Sequence, residues 1–537
     1  MPFNRIMSLV GGVFLTVSLL IFTFFSFRSL EGENEITKPT RWFDASIVDS
    51  GASVIMSGLF FLILWIVSIV LCVFVIQRNK KIPNILIIFC FTLLLGWLYN
   101  MIVWSAPLPT NDSGYYHDIA YKLASNIPIP YDTSTALSAL YPHVTFISWF
   151  LSKLYILGNS TDYSVVQMFN TFCGAVTAVI IYQLILLSSN GRSVKLAICA
   201  SITFILFPAR LILESFANTE SISLLLNLLA IYLLCRLLKK KEFLTSIKNY
   251  SYSIVTIGVI LAIAQCIRAD NLVLLIALAI TMVIANANKM KVKKIIYFLG
   301  IILGVFCVTT TTIRWGIKHS MEIPIADSSL NYALATGLYI DQDNLLETGK
   351  FNSEGWNRQL DAYNQYSQTD INKVNDVAMK QLYKERKEYI NEHNLWDELI
   401  YYKSLNYFKQ YDFAFRIFYE VSNEQRVIDM GFNTDTRKYI RTQNFFKQPD
   451  LLKPRGLTYS FQLISTLLLF ISFLLAGLHT FRNMKWQLLE FLLILSFVGS
   501  WIVYAFFVEV QGRYSYLYFV LLIIAIFSMT SKLEFRK

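Results

Sequence analysis

Apolar residues along this chain gather into long runs, and polar residues are confined to the gaps between them. The runs fall at 7–27, 53–76, 85–104, 163–188, 196–213, 220–238, 251–268, 271–287, 295–313, 457–478, 487–507 and 514–530. Most are close to the ~20 residues that a helix needs to cross the hydrocarbon layer of a bilayer. The pattern therefore predicts an all-α polytopic membrane protein with about twelve spans. The first run is longer than the apolar region of a signal peptide, and no small-residue cleavage motif follows it, so it reads as a retained helix.

The stretch YPHVTFISWFLSKLYILG, 141–158, is ambiguous: it opens with Pro142 and carries Lys153 midway. Charge decides how to treat it. If it lies along the membrane surface, the loops QRNKK, GRSVK, RLLKKKE, NKMKVKK and FRNMK and the tail SKLEFRK all fall on one side. Lys and Arg mark the cytoplasmic side, so both termini face in. If 141–158 crossed, the later loops would change sides and the pattern would break.

The chain then divides into an N-terminal helix pair at 1–84, a membrane core at 85–313 with an external loop at 105–162, an extracellular segment at 314–456 and C-terminal membrane helices at 457–537. The extracellular segment is too long to be a mere connection. Stretches such as INKVNDVAMKQLYKERKEYI predict that it is mainly helical.

Composition agrees with this picture: 55% of the 537 residues are hydrophobic and 15% are charged. A net charge of +11 would suggest a nucleic-acid partner in a soluble protein. Here the positive-inside distribution accounts for it, and no nucleic acid is expected. All seven cysteines lie in apolar runs without a CxxC pair, and read as small buried hydrophobes. A nucleotide-binding GxxxxGK[ST] loop is absent, which argues against an ATP-driven pump on this chain. No inverted repeat of spans stands out, which weakens a secondary-transporter reading.

The candidate chemistry sits on the external side. In NDSGYYHD, 111–118, Asp112 lies near the start of a short helix whose Tyr116, Ile119, Ala120 and Leu123 share one face. Pro128 and Pro130 should end that helix. The run 196–213 ends outward in FPARLILESFANTE and brings Arg210, Glu214 and Glu220 to the outer surface. The run 251–268 ends in Arg268, and the turn after 487–507 carries Arg513 and Tyr514. Any one acid at a helix start is an ordinary cap, and any one polar residue at a span end is ordinarily interfacial. Several converging from separate helices suggest a site. A carboxylate can take a proton from a hydroxyl nucleophile, and an arginine can neutralise a phosphate leaving group. The combination suits transfer of a sugar from a polyprenyl-phosphate donor to a hydroxyl acceptor. An undecaprenyl-linked glycan polymerase or ligase, and a lipid-linked sugar flippase or transporter, are the alternatives.

These residues resemble the GT-C glycosyltransferases, in the branch of protein O-mannosyltransferases and the lipid A aminoarabinose transferase. The branch places an acid before a D-x-x-x-Y-x-[DE]-I-[AS] pattern at the head of a surface helix. Here Asp112, Tyr116, Asp118, Ile119 and Ala120 stand at that spacing, with Ser113 where the family usually has a second acid. YPHVTFISW, with His143, takes the place of the family's proline-rich turn, and Gly512-Arg513-Tyr514 matches a GRY common in related bacterial enzymes. The resemblance covers roughly 85–310 and 457–530. It implies an inverting transfer with Asp112 as base. It further implies Tyr116, His143, Arg210, Glu214, Glu220, Arg268, Arg513 and Tyr514 as substrate-binding residues, and no cofactor or metal. The partners it implies are a polyprenyl-phosphate sugar and a cell-envelope polymer, glycolipid or protein acceptor, met at the outer face of the lipid bilayer.

Overall fold

A computed structural model of the chain describes residues 5–31, 51–78, 81–102, 111–129, 136–162, 164–214, 217–240, 247–286, 292–321, 324–342, 345–409, 454–482 and 486–534. Among them the fold is helical throughout, without strands. The helices are α1 (Arg5–Glu31), α2 (Gly51–Arg78), α3 (Asn84–Ile102), α4 (Asn111–Ala124), α5 (Ala136–Leu140), α6 (Pro142–Leu157), α7 (Ser164–Ser188), α8 (Val194–Ile205), α9 (Pro208–Glu214) and α10 (Glu220–Leu238). They continue with α11 (Ser251–Ile267), α12 (Leu272–Asn286), α13 (Val292–Ser320), α14 (Leu330–Gly337), α15 (Ser353–Tyr366), α16 (Lys380–Glu392), α17 (Trp396–Phe408), α18 (Pro454–Phe481), α19 (Leu488–Phe506) and α20 (Tyr516–Glu534).

Among the described residues eight helices are long and apolar enough to cross a membrane: α1, α2, α7, α10, α13, α18, α19 and α20. The bent pair α8–α9 makes a ninth if it is one span, and α3, α11 and α12 are shorter apolar helices. Each falls on an apolar run seen in the sequence. The protein is thus a multi-pass helical membrane protein. α6, 16 residues long, is not among these apolar helices; Val144, Phe146, Ile147 and Leu151 bury against Tyr116, Ile119 and Ala120 of α4.

α20 is apolar all round and occupies the centre. Tyr516 to Ala525 are all buried, packed between α7, α8, α18 and α19. Such a helix can only be an inner one. α2 is the opposite case: Ile63, Val70, Leu71 and Val75 point outward, as lipid-facing side chains do. The same holds for two cysteines. Cys90 and Cys307 are exposed on the helix surface, which corrects the expectation that all seven are buried. An apolar run long enough to span has a lipid face as well as a protein face, and periodicity alone does not separate them.

The N-terminal helix is built into the bundle. Ser26 Oγ and Thr466 Oγ1 of α18 are 2.7 Å apart, and Gln462 Nε2 donates to the Ser26 carbonyl at 3.0 Å. Gly11 and Gly12 seat the Phe491 and Trp486 rings, and any side chain there would meet them. Small residues at such contacts let helices approach closely in a membrane.

One run expected to be a continuous span is broken. α8 ends at Ile205 and α9 restarts at Pro208, turned by 53°. Proline at the first position of a helix has no N–H to lose, and it disfavours helical geometry in the residue before it. The carbonyl of Leu206 that the break releases accepts from Trp65 Nε1 of α2 at 2.8 Å. A buried backbone carbonyl left unpaired in a membrane would cost several kcal/mol, of order, so Trp65 holds the break in place.

α14–α17 lie in the described part of segment 314–456. Asn352 caps α15 by accepting from Gly355 N at 2.8 Å. Arg386 of α16 ties the group together, donating to the Ala335 carbonyl at 2.8 Å and pairing with Glu354 at 2.9 Å. Residues 410–453, including part of the aromatic stretch 401–419, lie outside the described residues, whereas Tyr407 and Phe408 are buried core.

Candidate functional site

Three separate elements meet at one end of the bundle. The first turn of α10 supplies Glu220, the C-cap of α11 supplies Arg268, and the short 3-10 turn Gly512–Ser515 supplies Arg513 and Tyr514. Arg268 Nη1 is 2.7 Å from Glu220 Oε1, and both side chains are buried. Glu220 Oε2 accepts from Thr219 N at 3.1 Å and Thr219 Oγ1 at 3.3 Å. Both oxygens of this carboxylate are therefore engaged, which makes it an anchor for the guanidinium more than a proton acceptor. Arg513 also lies within electrostatic reach of Glu220.

Both arginines lie by the Tyr514 ring: the guanidinium carbon of Arg268 is 5.4 Å from its centroid and that of Arg513 5.5 Å. Both distances fall in the cation–π range. Tyr504 stacks on Tyr514 at 5.0 Å from the α19 side. Two guanidiniums thus gather at one place, and planar multi-donor cations of this kind suit phosphate oxygens.

The extended backbone that ends α11 at Arg268 is fixed from behind. Asn271 Nδ2 donates to the Arg268 carbonyl at 2.9 Å, and Ser223 Oγ of α10 donates to Asn271 Oδ1 at 3.1 Å. Asn271 was missed by the sequence reading. A lone Asn directly after Arg268-Ala269-Asp270 resembles a plain turn residue, and only its side-chain partners reveal its role.

Arg210 and Glu214 form a second pair on α9, 3.4 Å apart, and are almost wholly buried at 1% and 3% exposure. The sequence reading placed them on the outer surface. With the bend before Pro208, both side chains on α9 are enclosed by neighbouring helices and not exposed. Glu214 lies on Gly174 of α7, where a Cβ would overlap its Oε1, and beside Gly96 of α3. The Arg210 nitrogens and the Glu214 oxygens have no hydrogen-bond partner among the described residues. Tyr516 is within electrostatic reach of Glu214, Arg210 and Glu220. It is a second residue the sequence reading missed, because it reads as one more aromatic in an apolar span.

Helix α4 runs from Asn111 to Ala124, and the chain turns at Asn126 in the left-handed region (φ 54°), before either proline expected to end it. Tyr116, Ile119 and Ala120 are buried as the spacing predicts, in a cluster with Ala217, Ile222 and Ile267. Ile267 precedes Arg268 and Ile222 follows Glu220 by two, so α4 packs at the same end of the bundle as the arginine group. Asp112 falls in the first turn of α4, and its side chain lies outside the described residues. Asp118 is on the exposed face, paired with Lys122 at 2.7 Å. His117 faces inward, with Nδ1 2.7 Å from Tyr155 Oη, and burial lowers its affinity for a proton.

His143 packs edge-on to Tyr141 at 6.0 Å. Tyr141 in turn meets Tyr332 of α14 at 5.4 Å and donates to Gln359 at 2.9 Å. His143 thus stands near the junction with α14 and α15. His319 lies over Trp315, and His393 over Tyr389. Among the described residues no three His, Cys, Asp or Glu side chains group as metal ligands.

Compared with known proteins, the chain matches no family model, no curated sequence and no solved structure.

Proposed function

We propose that this protein is an inverting glycosyltransferase of GT-C type, with twelve membrane crossings and both termini in the cytoplasm. It moves a sugar from a polyprenyl-phosphate donor to a hydroxyl of a cell-envelope polymer, glycolipid or protein on the outer face. The observation that carries this reading is the meeting of Arg268 and Arg513 on Glu220 and the Tyr514 ring, at the bundle end where α4 packs. Two guanidiniums at a helix-bundle rim suit the phosphate of a lipid whose chain stays in the bilayer.

In the proposed step, the acceptor oxygen bonds to the anomeric carbon from the face opposite the phosphate. The anomeric carbon–oxygen bond to phosphate breaks, the acceptor proton passes to the Asp112 carboxylate, and polyprenyl phosphate leaves with both electrons of the broken bond. Arg268 and Arg513 stabilise the leaving phosphate, and no cofactor takes part.

The test is sugar transfer by the purified protein in lipid, given a polyprenyl-phosphate sugar. Asp112→Asn should lose transfer by about 100-fold or more while keeping its unfolding temperature. Full activity in that variant removes Asp112 as base. Transfer only from a polyprenyl-pyrophosphate glycan offered in parallel, with release of the pyrophosphate lipid, would move the protein to the polymerase or ligase class.

A further inference from the structure

Helices α14–α17 and the turn that carries Arg513 are joined by a continuous set of contacts. After α19, the segment 507–511 runs against α14 and the turn at Gly349. Glu509 N donates to the Ala333 carbonyl at 3.0 Å, and Val510 N to the Gly349 carbonyl at 2.9 Å. Gly337 touches the same segment so closely that a Cβ there would lie 2.5 Å from the Phe507 carbonyl oxygen. At the next step Tyr514 N donates to the Gln511 carbonyl at 3.0 Å, closing the turn that holds Arg513.

Lys403 of α17 stands behind all of this. It is fully buried, and its Nζ donates to the Gly337 carbonyl at 2.9 Å. Its aliphatic stem fills the space above Gly349, whose φ of +73° and 2.5 Å Cβ approach to Lys403 Cγ both require glycine. The rest of α17 is fastened to α19: Trp501 Nε1 donates to Ser404 Oγ at 3.1 Å, and Tyr407 Oη lies 2.7 Å from Ser500 Oγ. Tyr407 stacks on Tyr504, and Tyr504 on Tyr514, so an aromatic column runs from α17 to the two arginines.

We propose that Lys403 is a positioning residue: through Gly337 and Gly349 it clamps α14–α17 onto segment 507–511 and so fixes where the Gly512–Ser515 turn holds Arg513. A lysine is otherwise a poor choice for a site without solvent, since burying its charge is costly. A long stem with a donor at its tip is what this position uses. The clamp stands on these contacts alone; its consequence for a phosphate ligand rests on the glycosyltransferase reading.

Charge makes the clamp sensitive to pH. Glu509 faces Lys403 from segment 507–511. Glu347 and Lys350, paired at 3.3 Å, flank the Gly349 turn, and Arg386 with Glu354 lies beyond Gly337. Burial lowers the Lys403 ammonium from 10.5 to about 7, while Glu509 opposes that fall. The released unit therefore holds a proton that the clamped unit gives up as pH passes from about 7 to 10.5. Clamping strengthens as pH rises through that window and weakens as pH falls back to its lower edge.

The experiment is hydrogen exchange of the full-length protein in nanodiscs, read on peptides covering 507–515, with α20 peptides as the control. Lys403→Met should speed exchange of 507–515 about tenfold and leave α20 unchanged. The wild type, corrected for intrinsic exchange, should gain protection between pH 7 and 10, and the variant should not. Equal exchange in wild type and Lys403→Met at every pH overturns the clamp. If that variant does not fold, Glu509→Gln decides: removing the opposing charge should shift the pH dependence to lower pH, and an unmoved profile overturns the proposal. Binding of undecaprenyl phosphate, measured on the same nanodiscs, should weaken about tenfold in Lys403→Met. Wild-type protein that ignores this lipid counts against the glycosyltransferase reading and leaves the exchange result standing.

Discussion

Arg268 and Glu220 come from different helices and meet at 2.7 Å with both side chains buried. Each guanidinium or carboxylate taken out of water is stable there because of the other. Glu220→Gln and Arg268→Met should each lower stability by ~3–5 kcal/mol, and the double variant should lose less than the sum. Thermal unfolding in detergent checks this. Additive losses would mean that the two residues act independently.

Gly174 is where Glu214 rests, and a methyl group there overlaps the carboxylate. Gly174→Ala should cost ~1–3 kcal/mol by overpacking. Gly300→Ala, where no atom lies within 4 Å, should be neutral or slightly stabilising. Similar unfolding temperatures for the two variants would contradict the close seat.

Trp65 donates to the carbonyl of Leu206 that the α8–α9 break exposes. Trp65→Phe keeps most of the apolar surface and removes the donor, so ~1 kcal/mol or more should be lost. Exchange of the α9 amides should rise in this variant. Unchanged protection there would assign the bend to Pro208 alone.

His117 is half-buried beside Tyr155, and this burial holds its proton affinity below the ordinary 6.5, against the pull of Asp118 and Asp162. Below 6.5 the unfolded chain takes up a proton that the folded helix resists, so this contribution to stability declines as pH falls through that range. His117→Gln should flatten the pH dependence of α4 exchange between pH 7 and 5; an identical slope in both proteins would show that another group titrates.

Much of the fold was legible in the sequence because a bilayer imposes length and hydrophobicity on whatever crosses it. Every apolar helix of the structure coincides with an apolar run, and the α4 face carrying Tyr116, Ile119 and Ala120 follows from helical spacing. The expected sidedness and the proposed chemical class rest on charge and motif order, and Asp112 entered on that basis alone.

What the tertiary structure decided was which polar residues are partners. Arg210 and Glu214 share a helix, so their pairing was open to inference, but their burial depended on a 53° bend that no apolar count reveals. Glu220, Arg268 and Arg513 are far apart in sequence and become one charged group only when α10, α11 and the Gly512–Ser515 turn converge. Lys403 was invisible, since a lysine in an amphipathic helix ordinarily points to water. Hydrophobicity acts residue by residue and can be read along the chain, whereas the pairing of buried charges is a property of three-dimensional proximity.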